Sequence, residues 1–197
     1  MGPNGWRCED PPVEAARISV LQDPLLAAIV RRCYSDVELR DRAGNVGRGY
    51  TNLKRIFGWP AELGTVVDAL AATIGSAEAV ASTDTGSAPL AALVAYKLNL
   101  PAVFVRSDSK DYFLSYGGDP KGNDPRLSGE RLPEGTPVHV IDDFVHSGAT
   151  LATAVETLRR VGLTVGTAAA LLGSPPETLA DAIAEIDVRP TILVTTR

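Results

Sequence analysis

Apolar positions recur at helical spacing in the first third of the chain. Leu25, Leu26, Ile29 and Val30 lie on one face of a helix running from about Asp23 to Tyr34, and Leu63, Val66, Val67, Leu70 and Ile74 on one face of a second over 61–74. Between them, Asp41-Arg-Ala-Gly-Asn-Val-Gly-Arg-Gly49 is turn-like and basic for its length. The pattern then changes to short apolar runs. Ala79-Val-Ala-Ser82, Ala102-Val-Phe-Val105, Val138-His-Val-Ile141, Thr164–Leu172 and Thr191-Ile-Leu-Val194 predict strands. Helices are predicted between them over 90–98, with Pro89 at its first position, 150–160 and 177–186. Strands of the buried type alternating with helices predict an α/β fold, a parallel β-sheet flanked by helices. Residues 1–20 read as a flexible lead-in punctuated by Gly2, Pro3, Pro11 and Pro12, and 21–197 as one domain. A polar stretch of about thirty residues, 107–136, reads as a loop. Loops of that length inside a compact domain are uncommon, and Lys110, Lys121 and Arg126 suggest a mobile, positively charged lid.

Composition narrows the function classes. Nineteen Lys+Arg against 24 Asp+Glu give a net charge of −5, which opposes broad nucleic-acid binding. Two cysteines, Cys8 and Cys33, exclude a disulfide scaffold or a cysteine-rich zinc module, and two histidines, His139 and His146, exclude a multi-histidine metal site. No run approaches the roughly 20 apolar residues of a membrane span. The N-terminus does not read as a signal peptide, so a cytoplasmic protein with no membrane or nucleic-acid partner is the expectation.

The richest chemistry lies in Val138-His-Val-Ile-Asp-Asp-Phe-Val-His-Ser-Gly-Ala-Thr150. A strand delivers Asp142 and Asp143 to the edge where open α/β sheets bind ligands, and a small-residue turn leads straight into a helix. Amides of His146, Ser147, Gly148, Ala149 and Thr150 can wrap an anion at that helix N-terminus, with Ser147 and Thr150 adding hydroxyls and Gly148 close approach. The two carboxylates can accept from vicinal hydroxyls or hold water on Mg2+. The run asks for a phosphorylated sugar with free hydroxyls. His139, inside a strand, reads as structural, and the cysteines as core or incidental.

This run resembles the 5-phosphoribosyl-1-pyrophosphate (PRPP) motif of type I phosphoribosyltransferases. The resemblance extends from about Leu39 to Leu172. Gly49-Tyr-Thr-Asn-Leu-Lys-Arg-Ile-Phe57, Gly86-Ser-Ala-Pro-Leu-Ala-Ala92 and Val105-Arg-Ser-Asp-Ser-Lys-Asp111 are similar, in the same order, to segments of orotate phosphoribosyltransferases. It implies a type I phosphoribosyltransferase fold with a small hood, mainly from 21–60 and the C-terminal part, and a catalytic flap over about 107–136. It further implies Mg2+-dependent transfer of phosphoribosyl from PRPP to a nucleobase-like heterocycle with release of pyrophosphate, as in pyrimidine biosynthesis, by a homodimer.

The resemblance places the 5-phosphate in the turn Val145–Thr150, the ribose hydroxyls on Asp142 and Asp143, and Mg2+ on the same pair mostly through water. Pyrophosphate falls to Thr85, Gly86 and Ser87, with Arg106 and Lys110 neutralising charge as it leaves. Arg42, Tyr50 and Thr51 fall on the base side. The chain departs from the orotate pattern at Ser107 (a second basic residue), Tyr112 (His), Arg42 (Lys) and Thr51 (an aromatic). Gly173-Ser-Pro-Pro176 stands where an Arg that holds the orotate carboxylate is expected. Three readings stay open: an orotate-type enzyme, a PRPP enzyme with another acceptor in a side pathway, and a non-catalytic PRPP-binding regulator.

Overall fold

The computed structural model describes residues 18–40, 46–106, 127–129 and 131–196. Nine strands and five α-helices follow one another among them: β1 (Ser19–Val20), α1 (Pro24–Cys33), β2 (Tyr34–Arg40), β3 (Val46–Thr51), α2 (Pro60–Ala71), β4 (Ala79–Ser82), α3 (Ala88–Leu98), β5 (Ala102–Val105), β6 (Leu127–Ser128), β7 (Pro137–Val145), α4 (Ala149–Arg160), β8 (Thr164–Gly173), α5 (Pro176–Ile186) and β9 (Arg189–Thr195). A 3-10 helix over Leu53–Gly58 joins β3 to α2. No helix of the described residues is long and apolar enough to cross a membrane.

The main sheet runs β1-β9-β8-β7-β4-β5-β6. Six strands are parallel and β6 is an antiparallel edge on β5. Side chains alternate between its faces, as the two-residue period of a strand dictates. Val138, Val140, Ala168 and Ala170 pack with α4 and α5, whereas Ile141, Ala169 and Leu171 pack with α1, α2 and α3. Helices cover both faces, which explains why the strands read as apolar runs. After β4 the chain moves outward to β5, then returns to place β7 on the opposite side of β4. The junction of β4 and β7 is therefore a topological switch point, where the loops leaving adjacent strands diverge and open a crevice.

Local chemistry sets the helix ends. Asp23 caps α1, its carboxylate accepting from the amides of Leu25 and Leu26 at 2.8 and 3.0 Å; such a cap is worth about 1 kcal/mol. Proline opens α1, α2, α3 and α5, where a missing amide costs nothing. At the C-terminus of α4, Arg159 donates to the carbonyls of Ile186 and Val165, both at 2.6 Å, and ties the helix to the end of α5 and to β8.

Several expectations change. β7 does not end at Ile141: it continues to Val145, so Asp142 and Asp143 belong to the strand, and Asp142 pairs with Ala170 of β8. Their polarity mimics a turn although the backbone stays in the ladder. Of 41–49, read as turn-like, 46–49 belong to β3, which pairs with β2 as an antiparallel hairpin that stands apart from the main sheet, while 41–45 lie outside the described residues. The C-terminal part, expected in the hood, forms β8, α5 and β9 of the main layer instead, because its apolar strand β9 is buried between β8 and β1. Within the expected loop 107–136, Leu127 and Ser128 extend the sheet, with Leu127 fully buried. Residues 1–17 and most of the expected flap lie outside the described residues.

Candidate functional site

The crevice at the switch point is built from two turns. The first follows β4. Thr83, 1 % exposed, donates its amide to Ile141 O at 3.3 Å, which fastens this turn to β7. Ser87 is fully buried and its hydroxyl receives the amides of Thr83 and Asp84 at 3.0 and 3.3 Å. Asp84 folds back over the turn, its Oδ1 accepting from the Gly86 amide at 2.6 Å and the Ser87 amide at 3.3 Å. Thr85 is exposed at the tip. A Cβ on Gly86 would lie 2.9 Å from Asp84 Oδ1 and 3.8 Å from Asp143 Oδ2, so this turn and the acidic pair are in near contact.

The second turn follows β7. Asp142 is buried, and its Oδ1 accepts from the Asp143 amide at 2.8 Å. Burial pushes its carboxyl up to about 7, opposed by a hydrogen bond with Thr83 and reinforced by the charge of Asp143. Asp143 is half-buried, and its Oδ1 accepts from the Phe144 amide at 2.9 Å. Gly148 has φ +81°, and a Cβ there would stand 2.8 Å from Ala182 Cβ on α5. Only glycine meets both conditions, and it lets α4 start directly behind the strand. The first amides of α4 have no partner within the helix, and a cavity of about 80 Å3 lies at this helix end, lined by Asp142, Phe144–Gly148, Thr150 and Leu151. Phosphate is the size of ligand such a space takes. His146 lies beside Phe144, ring centroids 5.8 Å apart, and its Nδ1 is 2.9 Å from the hydroxyl of Ser174 at the end of β8.

Arg106 leaves β5 on the same edge and lines a cavity of about 190 Å3 with Thr83, Ala149, Thr150 and Thr153. The structure thus gathers Asp142, Asp143, the turn Val145–Thr150, the turn Thr85–Ser87 and Arg106 around one crevice. Tyr50 and Thr51 lie on β3 of the hairpin. Thr51 borders a further cavity of about 700 Å3 together with Leu172, while Tyr50 is largely exposed. Lys110 and Arg42 lie outside the described residues. Among those described, no group of three or more His, Cys, Asp or Glu side chains could hold a metal.

Three residues at or beside the crevice are not singled out by the sequence. Thr83 looked like the start of a turn, and Ser174 like part of a Ser-Pro linker. Arg31, which borders the 700 Å3 cavity beside the crevice, is one of two consecutive arginines in the last turn of α1 and carries no sequence signal of its own. Only long-range contacts distinguish them.

Fold and site together define an α/β protein whose ligand crevice opens at the carboxyl ends of its central strands, between an anion-sized turn and a carboxylate pair. Comparison with known proteins narrows the class. The profile of the phosphoribosyl transferase domain matches residues 55–189, and the chain belongs to that family. Orotate phosphoribosyltransferase of Phocaeicola vulgatus is 41 % identical over 91 residues, 46 % of this chain and 38 % of that protein. The match therefore spans well under half of that relative's length. The crystal structure of orotate phosphoribosyltransferase from Aeropyrum pernix superposes with a TM-score of 0.69 at 26 % identity, over 87 % of this chain and 93 % of that one. Adenine phosphoribosyltransferase from Leishmania donovani shares the fold, with a TM-score of 0.68 at 17 % identity over 96 % of this chain and 86 % of that one.

Proposed function

We propose that this protein is a Mg2+-dependent phosphoribosyltransferase that moves the 5-phosphoribosyl group of PRPP to a nucleobase-like heterocycle and releases pyrophosphate. The observation that carries the reading is the closeness of the turn after β4 to the acidic pair of β7: a Cβ on Gly86 would lie 3.8 Å from Asp143 Oδ2. It allows one ligand to span a phosphate cradle, a hydroxyl acceptor and a second phosphate cradle.

In this reading the turn Val145–Thr150 holds the 5-phosphate, and the carboxylates of Asp142 and Asp143 accept from the ribose hydroxyls. Thr85, Gly86 and Ser87 receive pyrophosphate. Arg106 suits a bidentate phosphate contact, and Lys110 supplies a mobile charge. Arg42, Tyr50 and Thr51 are assigned to the acceptor. Two adjacent carboxylates fit Mg2+, which is usually held by one or two carboxylates together with substrate phosphates and water. When bound, the ion offsets charge that develops on the leaving pyrophosphate. The protein's share is positioning and electrostatics: it fixes the phosphoribosyl group between the turns and directs cationic groups at the departing oxygens. Family membership also suggests a homodimer, a cytoplasmic location and a place in pyrimidine or related nucleotide metabolism.

One observation favours an acceptor other than orotate. In Gly173-Ser-Pro-Pro176, where an arginine for the orotate carboxylate is expected, none is present, and Ser174 is 4 % exposed and engaged with His146.

The test is pyrophosphate release from PRPP and Mg2+ across a panel of bases, with PRPP affinity measured by calorimetry. The wild type binds PRPP, and Asp143→Asn weakens that binding by about tenfold or more. Unchanged affinity in the variant defeats the site assignment. Turnover with orotate defeats the altered-acceptor reading, and PRPP binding without turnover on any base makes the protein a regulator.

A further inference from the structure

Beside the crevice lies a much larger chamber that the phosphate-binding machinery does not use. It measures about 700 Å3 and sits between α1, the base of the hairpin and the ends of β8 and β9. Pro24, Ala27 and Val30 of α1 form one wall, and Leu172 and Val194 the other. Tyr34 and Thr51, paired across β2 and β3, close the side toward the hairpin. Leu172 is the register partner of Phe144, so the chamber begins one strand away from the phosphate turn.

Its polar lining comprises Gln22, Arg31, Thr195 and the hydroxyl-bearing Tyr34, Thr51 and Thr196, and Arg31 is its one charged side chain. Gln22 and Thr195 bond to each other, the side-chain amide to the hydroxyl and the Thr195 amide to Gln22 Oε1 at 3.4 Å. Arg31 differs. It borders the chamber, is exposed, and its guanidinium has no hydrogen bond or ion pair with any described residue. The next residue, Arg32, is used by the fold: it pairs with Glu62 and lies 4.2 Å over the ring of Trp59. One uncommitted guanidinium at the rim of an apolar chamber is the arrangement that orients an amphiphilic anion, because the apolar walls supply contact area and the cation fixes direction. A lone six-membered ring would leave most of this volume to water.

We propose that the chamber receives the acceptor, that the acceptor is an elongated, largely apolar compound bearing one acidic group, and that Arg31 is the specificity residue that pairs with that group. The inference rests on the phosphoribosyltransferase reading for the word acceptor, but the chamber's selectivity can be measured without it.

Calorimetry with 1-naphthoate, 1-naphthamide, orotate and uracil as probes tests it, on the wild type, Arg31→Gln and Ala27→Trp, with PRPP titrated in parallel. In the wild type 1-naphthoate binds about tenfold more tightly than either 1-naphthamide or orotate. Arg31→Gln brings the two naphthyl compounds to about equal affinity, and Ala27→Trp, which fills the chamber, abolishes binding of both. PRPP affinity stays within about twofold in both variants, which also shows that they are folded. Equal binding of acid and amide by the wild type, tighter binding of orotate than of naphthoate, a preference retained by Arg31→Gln, or no naphthyl binding by about 1 mM overturns the inference. Failure of the wild type to bind PRPP instead refutes the phosphoribosyltransferase reading and leaves the chamber result standing.

Discussion

Replacing Asp142 with asparagine removes one of two buried titrations that oppose each other. The second belongs to His139, 1 % exposed in the middle of β7. Its Nε2 is 3.1 Å from the Thr73 hydroxyl, which itself donates to Leu70 O at 2.7 Å, and its Nδ1 is 2.8 Å from the Thr167 hydroxyl. Thr73 has spent its proton, so the imidazole donates from Nε2 and accepts at Nδ1, a neutral ring with both nitrogens satisfied. Burial pushes its pKa from 6.5 down to about 4. The folded state favours the neutral ring, so this contribution is complete above pH 6.5 and is lost as the pH falls toward 4. About 2 kcal/mol disappears between about pH 7.5 and about pH 5.

Asp142 runs the other way. With its carboxyl raised from 3.8 to about 7, the folded state favours the protonated acid. Its contribution is complete below pH 3.8 and is lost as the pH rises through 7, so acidification over the same interval restores about 2 to 3 kcal/mol. In the wild type the two slopes nearly cancel. Asp142→Asn exposes the histidine slope: on going from about pH 7.5 to about pH 5 the variant loses about 2 to 3 kcal/mol relative to the wild type, and at the higher pH it is the more stable protein by a few kcal/mol. His139→Gln exposes the opposite slope. Urea denaturation of the three proteins in EDTA at both pH values gives the differences directly, since all other carboxylates are common to them. An Asp142→Asn variant with the wild-type pH dependence, or one destabilised at about pH 7.5, refutes the reasoning.

Gly148→Ala forces a left-handed backbone on alanine and drives its Cβ against Ala182, so the urea midpoint should fall by the equivalent of about 1–3 kcal/mol, with PRPP binding weakened in step; wild-type stability would contradict the geometry. Arg159→Met removes two charge-assisted bonds that join α4 to α5 and β8. Because the side chain is partly solvated, a loss of about 1–2 kcal/mol is expected in the same assay, and no loss would show that water replaces both bonds freely.

The central layer was legible because its physics is local. The helical spacing of Leu26, Ile29 and Val30 locates α1, and the apolar runs of β4, β5, β8 and β9 reflect burial on both faces. The hairpin was not legible. Val37 and Val46 are exposed, and Asp36, bound to Arg48 at 2.7 Å, replaces the apolar alternation that marks a half-buried strand. β6 is two residues long and exists only because β5 offers it an edge. At the site, the small-residue turns and the acidic pair announce themselves by composition. Thr83, Ser174 and Arg31 do not, since each gains its place from a residue or wall far away in sequence. The extension of β7 through Asp142 was hidden for the opposite reason: two carboxylates in a row read as solvent-facing, and no local pattern says that one is buried against Thr83.

The turn after β4 has a property that matters for exchange kinetics. Its amides at Gly86 and Ser87 are not vacant donors but are already engaged by Asp84. The pyrophosphate proposed for this turn would substitute for a carboxylate rather than fill a hole. The empty turn is spared the roughly 1–3 kcal/mol of an unsatisfied buried donor, and the arriving anion gains only the difference between its own bonds and those it displaces. Departure is eased by the same amount, because Asp84 stands ready to close behind it. A turn of this kind favours rapid turnover of its guest over tight retention.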